Sequence, residues 1–174
     1  MTIKTFNINT DKTAFVRAYL PDSIAGLPFC EKRPAVLIFP GGGYEYCSDR
    51  EGEPIALQYL ALGYAAFVVT YSCNERFPEP LMDAAYIFYK IRMRAEEFKI
   101  DPQKMAVLGC SAGGHLAGCL ATMWSDIALT KTIGCEPEDL RPNAAILCYP
   151  VISGVTAPHE GSFKVLLGEE ASRS

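Results

Sequence analysis

Apolar and polar positions follow two rhythms along the 174 residues of this chain. At the beginning the period is two: Phe6/Ile8 and then Ala14-Phe15-Val16-Arg17-Ala18-Tyr19, divided by the polar stretch Asn9-Thr10-Asp11-Lys12. Loose alternation on either side of a polar turn predicts a β-hairpin over residues 3–20. Alternation then gives way to unbroken apolar runs, Ala35-Val36-Leu37-Ile38-Phe39 and Ala65-Ala66-Phe67-Val68-Val69-Thr70-Tyr71, followed by Met105 to Leu108 and Ala144-Ala145-Ile146-Leu147-Cys148-Tyr149. A strand that is apolar at every position has both faces covered, which predicts buried parallel strands with helices above and below.

Helical periodicity fills the intervals. Pro54 to Leu62 reads as a helix that stops at Gly63. Leu81, Ala84, Ala85, Phe88, Ile91, Ala95 and Phe98 fall along one helical face of residues 80–99, with Pro80 near the start and Asp101-Pro102 beyond the end. A small-residue helix runs from about Ala112 to Trp124, and its Gly113, Gly114, Ala117 and Gly118 allow close approach to a sheet. The tail from Leu166 to Ser174 reads as the start of another helix. A hairpin followed by alternating strands and helices implies an α/β fold, a mostly parallel sheet with an antiparallel N-terminal hairpin, in one domain spanning 1–174.

Composition changes this picture little. A net charge of −4, with basic residues scattered along the chain, gives no electrostatic footprint for nucleic acid or an anionic membrane. No basic segment leads into an apolar targeting region, and no apolar run is long enough to span a bilayer, so a cytoplasmic location is the expectation. The seven cysteines are odd in number and lack close pairing, and several lie inside apolar runs, which suits buried reduced thiols. With two histidines and no Cys-x-x-Cys, no metal and no cofactor is expected.

Chemistry concentrates at Gly109-Cys110-Ser111-Ala112-Gly113, placed between a strand and a helix. That context predicts a nucleophile elbow presenting the Ser111 hydroxyl. Pro40-Gly41-Gly42-Gly43-Tyr44 ends an earlier strand, where bare backbone N–H groups can face a developing oxyanion. Gly42, Gly43 and the Ala112 N–H at the helix start are the candidate donors. Serine needs a base to take its proton. His115, four residues on from Ser111 in the helix leaving the elbow, is expected to pack or to hydrogen-bond the backbone instead. His159, in a polar loop after the Ala144–Tyr149 strand, is placed at the mouth of a pocket as a substrate contact, with Tyr44, Tyr46 and Arg50 from the glycine loop. Ser72 and Asn74 fall where α/β folds put ligand-facing loops. Glu51 and Glu53 read as the usual acidity of a helix start, and Asp126 and Asp139 as solvated loop or helix-end charges.

These residues resemble a known family. Phe39-Pro40-Gly41-Gly42-Gly43-Tyr44, Arg50-Glu51-Gly52-Glu53-Pro54-Ile55-Ala56, Tyr71-Ser72, Ile100-Asp101-Pro102, Gly109 to Leu116 and Tyr149-Pro150-Val151-Ile152 are similar to α/β-hydrolase esterases of the acetyl-esterase and acetylxylan-esterase-like kind, related to the hormone-sensitive-lipase group. Pro40 stands where the wider group has a histidine. The resemblance implies a three-layer α/β-hydrolase sandwich represented by its N-terminal two-thirds, with the C-terminal strands missing. It also implies a serine esterase acting on small acyl (acetyl-like) esters of carbohydrate, with Ser111 as nucleophile and Gly42, Gly43 and Ala112 as oxyanion donors. The triad aspartate and histidine of such enzymes come two strands later, so weak or absent turnover is expected of this chain. A non-catalytic remnant with residual binding, and a related formamidase or peptidase chemistry, stay open as alternatives. The expected partner is a small-molecule ester, and an unpaired apolar edge at the Ala144–Tyr149 strand is expected to promote dimerisation or aggregation.

Overall fold

The computed structural model describes residues 1–7, 14–23, 32–156 and 158–168. Its strands are β1 (Thr2–Asn7), β2 (Phe15–Leu20), β3 (Arg33–Phe39), β4 (Ala65–Thr70), β5 (Ile100–Cys110) and β6 (Ala144–Cys148). They form one sheet in the order β1-β2-β4-β3-β5-β6. The hairpin β1–β2 and the pair β2–β4 are antiparallel, and β4–β3, β3–β5 and β5–β6 are parallel. The expected α/β sheet with an antiparallel N-terminal hairpin is thus what the chain builds. Ile8, the predicted turn at Asn9-Thr10-Asp11-Lys12, and Cys30 lie outside the described residues.

The unbroken apolar runs have a simple cause. Ala35, Leu37 and Phe39 of β3 enter one core with Leu81 and Phe88 of helix α2 (Glu79–Met93) and Leu116 and Leu120 of helix α4 (Ala112–Met123). Val36 and Ile38 of the same strand point the other way, into a second core with Ala56 of helix α1 (Glu53–Ala61). All five strand residues are fully buried. Neither face has room for a polar position, and a fully buried Leu, Ile, Val or Phe side chain contributes roughly 1.5–3 kcal/mol.

Elsewhere the structure departs from the expected pattern. The helix anticipated over residues 80–99 divides at Arg94 (φ −104°, ψ 25°) into α2 and the short α3 (Ala95–Phe98). The Arg94 guanidinium there forks onto Glu97 at 2.8 and 2.9 Å and lies over the rings of Phe6 and Phe98. Strand β5 begins at Ile100, earlier than its apolar run. Its register against β3 passes from Arg33 opposite Ile100 to Ala35 opposite Met105, so the residues between bulge out. Pro102 sits in that bulge, where a missing N–H breaks no ladder bond.

Strand β6, expected to be buried, is exposed along nearly its whole length. Among the described residues it pairs only with β5, and Ile146 and Leu147 remain 36% and 39% exposed. Two further helices, α5 (Ile127–Ile133) and α6 (Pro137–Leu140), stand where no helix was anticipated. Asp126 caps the first by accepting the Leu129 N–H, and Asp139 completes a capping box with Glu136 in the second. Helix α7 (Glu160–Leu167) is already ending where the tail was expected to begin a helix; residues 169–174 lie outside the described residues.

Candidate active site

A single residue, Ser111, turns the chain from β5 into α4. Its backbone has φ 53° and ψ −119°, a conformation that L side chains rarely adopt. Such strain costs on the order of 1–3 kcal/mol and persists only where the surroundings impose it. Here the Ser111 N–H donates to the Cys148 carbonyl at 3.0 Å, and the Ser111 carbonyl accepts from His115 N–H at 3.0 Å and Val151 N–H at 3.2 Å. The helix start presses against the sheet so closely that a Cβ on Gly113 would lie 2.1 Å from the Phe39 carbonyl oxygen. Glycine is therefore a packing requirement at position 113.

The glycine loop crosses directly beside this corner. A Cβ built on Gly41 would lie 3.0 Å from the Ser111 Cβ. Gly42 has φ 135°, and its carbonyl accepts the Glu45 and Tyr46 N–H groups at 3.0 and 3.3 Å, which curls the loop tightly. The loop is braced from several sides: Tyr71 Oη donates to the Pro40 carbonyl at 2.7 Å, Asn74 N–H to the Tyr44 carbonyl at 2.7 Å, and Gly41 N–H to Glu51 Oε2 at 2.7 Å. Among the described residues, the N–H groups of Gly42, Gly43 and Ala112 donate to no side chain, turn or cap. A cleft of about 360 Å³ collects Ser111, Gly42, Gly43, Tyr46, Arg50, Glu51, Tyr149 and His159 on its walls.

Tyr44 is placed differently. Its ring is buried beneath the cleft, and its hydroxyl meets His115 Nδ1 at 2.7 Å, so it supports the loop from below and does not line the cleft. His115 is held by that bond and by edge-on contacts with Tyr44 and Phe163. Burial holds its imidazole below the ordinary histidine range. Packing was anticipated for His115; the side-chain bond to Tyr44 was not.

His159 caps α7, its Nδ1 accepting the Ser162 N–H at 3.2 Å and meeting Ser162 Oγ at 2.8 Å. A backbone N–H can only donate, so Nδ1 is the bare nitrogen and the neutral ring carries its proton on Nε2. A base must offer an unprotonated nitrogen to the serine, and in this tautomer the only such nitrogen is engaged by the cap. Among the described residues, no side chain hydrogen-bonds the Ser111 hydroxyl. Nor do any His, Cys, Asp and Glu side chains among them gather into a group able to hold a metal ion, and no helix is long and apolar enough to cross a membrane.

Ser72 is buried, its N–H donating to Asp83 Oδ2 at 2.9 Å, and Asn74 braces the glycine loop, its Nδ2 donating to the Glu45 carbonyl at 2.9 Å. Both serve the scaffold. Two residues escaped the sequence reading. Glu51, taken for helix-start acidity, reaches Gly41 with one oxygen and accepts the Tyr149 hydroxyl with the other at 2.7 Å. That bond, with burial, pushes the Tyr149 phenol above its ordinary range. No local pattern announces a carboxylate that bridges partners 10 and 98 positions away.

Residues 27–153 match the BD-FAE family model. The chain is 36% identical over 144 residues to endo-1,4-beta-xylanase B of Butyrivibrio fibrisolvens, covering 79% of this chain and 22% of that protein. It is 32% identical over 173 residues to an acetylxylan esterase of Xylanibacter ruminicola, covering 95% of this chain and 31% of that protein. Among solved structures, MGS-M1, an α/β hydrolase enzyme from a Medee basin deep-sea metagenome library, superposes with a TM-score of 0.77 at 42% identity, over 91% of this chain and 60% of that one. The chain thus spans less than a third of the length of those two curated relatives and about three-fifths of that structure.

Proposed function

Because the chain belongs to the BD-FAE family, we propose that it carries the nucleophile and the oxyanion-binding elements of a serine carboxylic-ester hydrolase acting on small, acetyl-like esters of carbohydrate. The observation that carries this reading is the strained Ser111 corner beside the glycine loop. In the proposed reaction the Ser111 hydroxyl attacks the acyl carbonyl and forms a tetrahedral intermediate. Its oxyanion takes hydrogen bonds from the N–H groups of Gly42, Gly43 and Ala112, each worth on the order of 3 kcal/mol in the transition state. Collapse releases the alcohol and leaves an acyl-serine, which water then hydrolyses.

Arg50 and the Nε2–H of His159 are the proposed polar contacts to substrate, since both line the cleft. His115 is held by Tyr44 and His159 by Ser162, so neither is placed to take the Ser111 proton, and slow turnover is the proposed behaviour of this chain. Similarity to the acetylxylan esterase of Xylanibacter ruminicola supports an acetylated sugar as the substrate class.

A test uses an activated acetate ester and a fluorophosphonate, each on the native chain and on Ser111→Ala. The expected outcome is slow turnover, slow fluorophosphonate labelling at Ser111 only, and loss of both in the variant. Hydrolysis that survives Ser111→Ala overturns the nucleophile assignment. A panel of acetylated xylosides, aryl formamides and peptides then reads the substrate class.

A further inference from the structure

Cys47 and Cys73 come from different loops and meet edge to edge beside the glycine loop. Their sulfur atoms are 3.7 Å apart, and the Cys73 thiol also reaches the Tyr71 carbonyl at 3.4 Å. The backbones carrying them are already clamped: Asn74, next to Cys73, donates its N–H to the Tyr44 carbonyl at 2.7 Å and its amide Nδ2 to the Glu45 carbonyl at 2.9 Å. Cys47 directly follows Tyr46, whose carbonyl would lie 2.1 Å from a Cβ on Gly42. A bond at Cys47 is therefore a bond to the loop that carries the proposed oxyanion donors. Both thiols are only part-buried, and Cys47 lines a separate cleft of about 580 Å³ on the β4 side of the loop.

We propose that Cys47 and Cys73 form a reversible disulfide that tethers the glycine loop to the loop following β4. Both residues are thiols in this structure, and closing the bond asks the sulfurs to approach by less than about 2 Å. The oxidant is a low-molecular-weight disulfide of the glutathione type. The Cys73 thiolate attacks one sulfur of that disulfide, giving a mixed disulfide and expelling one small thiolate. Cys47 then loses its proton and attacks the Cys73 sulfur, expelling the second thiolate. Two protein thiols are oxidised by two electrons, one small disulfide is reduced, and the two protons leave with the two small thiols. Cys73 is the sulfur that ionises first, because the Cys47 thiol hydrogen-bonds it; burial and Asp83 oppose that ionisation. The role of the tether takes the glycine loop's function from the reading above, whereas the thiol chemistry is measured without any ester.

The chain is incubated with excess oxidised glutathione, quenched with N-ethylmaleimide, digested and analysed by mass spectrometry, with amide hydrogen exchange measured before and after. The expected product is a Cys47–Cys73 linked peptide, reopened by dithiothreitol, and the Asn74 amide exchanges at least about tenfold more slowly in the oxidised form. Cys47→Ser is expected to stop at a glutathione adduct on Cys73. Alkylation of both cysteines after oxidation, a link between Cys110 and Cys148 in their place, or unchanged exchange at Asn74 each overturns the proposal. Should the variant fail to fold, the native chain's linked peptide still decides.

Discussion

The Gly41 N–H donates to Glu51 Oε2 at 2.7 Å, so the glycine loop is anchored by a carboxylate ten positions along the chain. The other oxygen of Glu51 accepts the Tyr149 hydroxyl, which joins the loop to the segment following β6. Hydrogen bonds to a charged acceptor contribute roughly 1.5–3 kcal/mol each. Glu51→Ala is expected to lower unfolding free energy by about 3 kcal/mol in urea titration, and Glu51→Gln, which keeps one acceptor oxygen, by about half as much. Fluorophosphonate labelling at Ser111 is expected to slow in both, with the smaller loss in Glu51→Gln.

Ser111 holds a backbone conformation suited to glycine. Ser111→Gly is expected to abolish acyl transfer and to raise unfolding free energy by about 1 kcal/mol. The relief of strain is partly offset by the greater chain entropy of glycine in the unfolded state. Thermal unfolding of the two proteins checks both the sign and the size.

Two glycines of helix α4 are expected to respond in opposite ways. An added Cβ at Gly113 collides with the Phe39 and Pro40 carbonyl oxygens at 2.1 and 2.5 Å. Gly113→Ala is therefore expected to cost about 3 kcal/mol or to prevent folding. At Gly118 the nearest atom is a Leu147 methyl at 3.6 Å, an ordinary contact. Gly118→Ala is expected to stabilise by about 0.5–1 kcal/mol through helix propensity. Urea midpoints of the pair provide the comparison.

Burial keeps the His115 imidazole below its ordinary value of about 6.5. The unfolded chain consequently binds a proton at that residue more readily than the folded one. The contribution of this residue to stability is complete above about pH 6.5 and is lost as pH falls through the lowered folded value. His115→Gln removes that dependence, so the native protein is expected to lose stability more steeply than the variant between about pH 6.5 and 5. Unfolding free energies measured across that range test it.

Among the described residues, strand β6 ends the sheet, pairing with β5 alone, and leaves Ile146 and Leu147 exposed. Such an edge templates pairing with another strand. Concentration-dependent self-association is the expected behaviour in light scattering, reduced by Ile146→Lys. A native chain that stays monomeric at high concentration rules the association out.

Short-range pattern in the sequence determined the sheet, the helices α1, α2 and α4, and the tight turn at Ser111. The unbroken runs at Ala35–Phe39 and Ala65–Thr70 exist because each strand is buried on both faces, and Gly109 to Gly113 signals a turn because only small residues let a helix start so near a strand. These causes act within a few residues or through burial alone, so they leave marks in local order. What the tertiary structure decided depends on segments far apart in the chain. It turned Tyr44 under the cleft toward His115, assigned Glu51 to Gly41 and Tyr149, engaged His159 in capping α7, and brought Cys47 against Cys73. A hydrogen bond depends on position and direction in space, and the chain sets these only when β3, β4, β5 and β6 lie side by side.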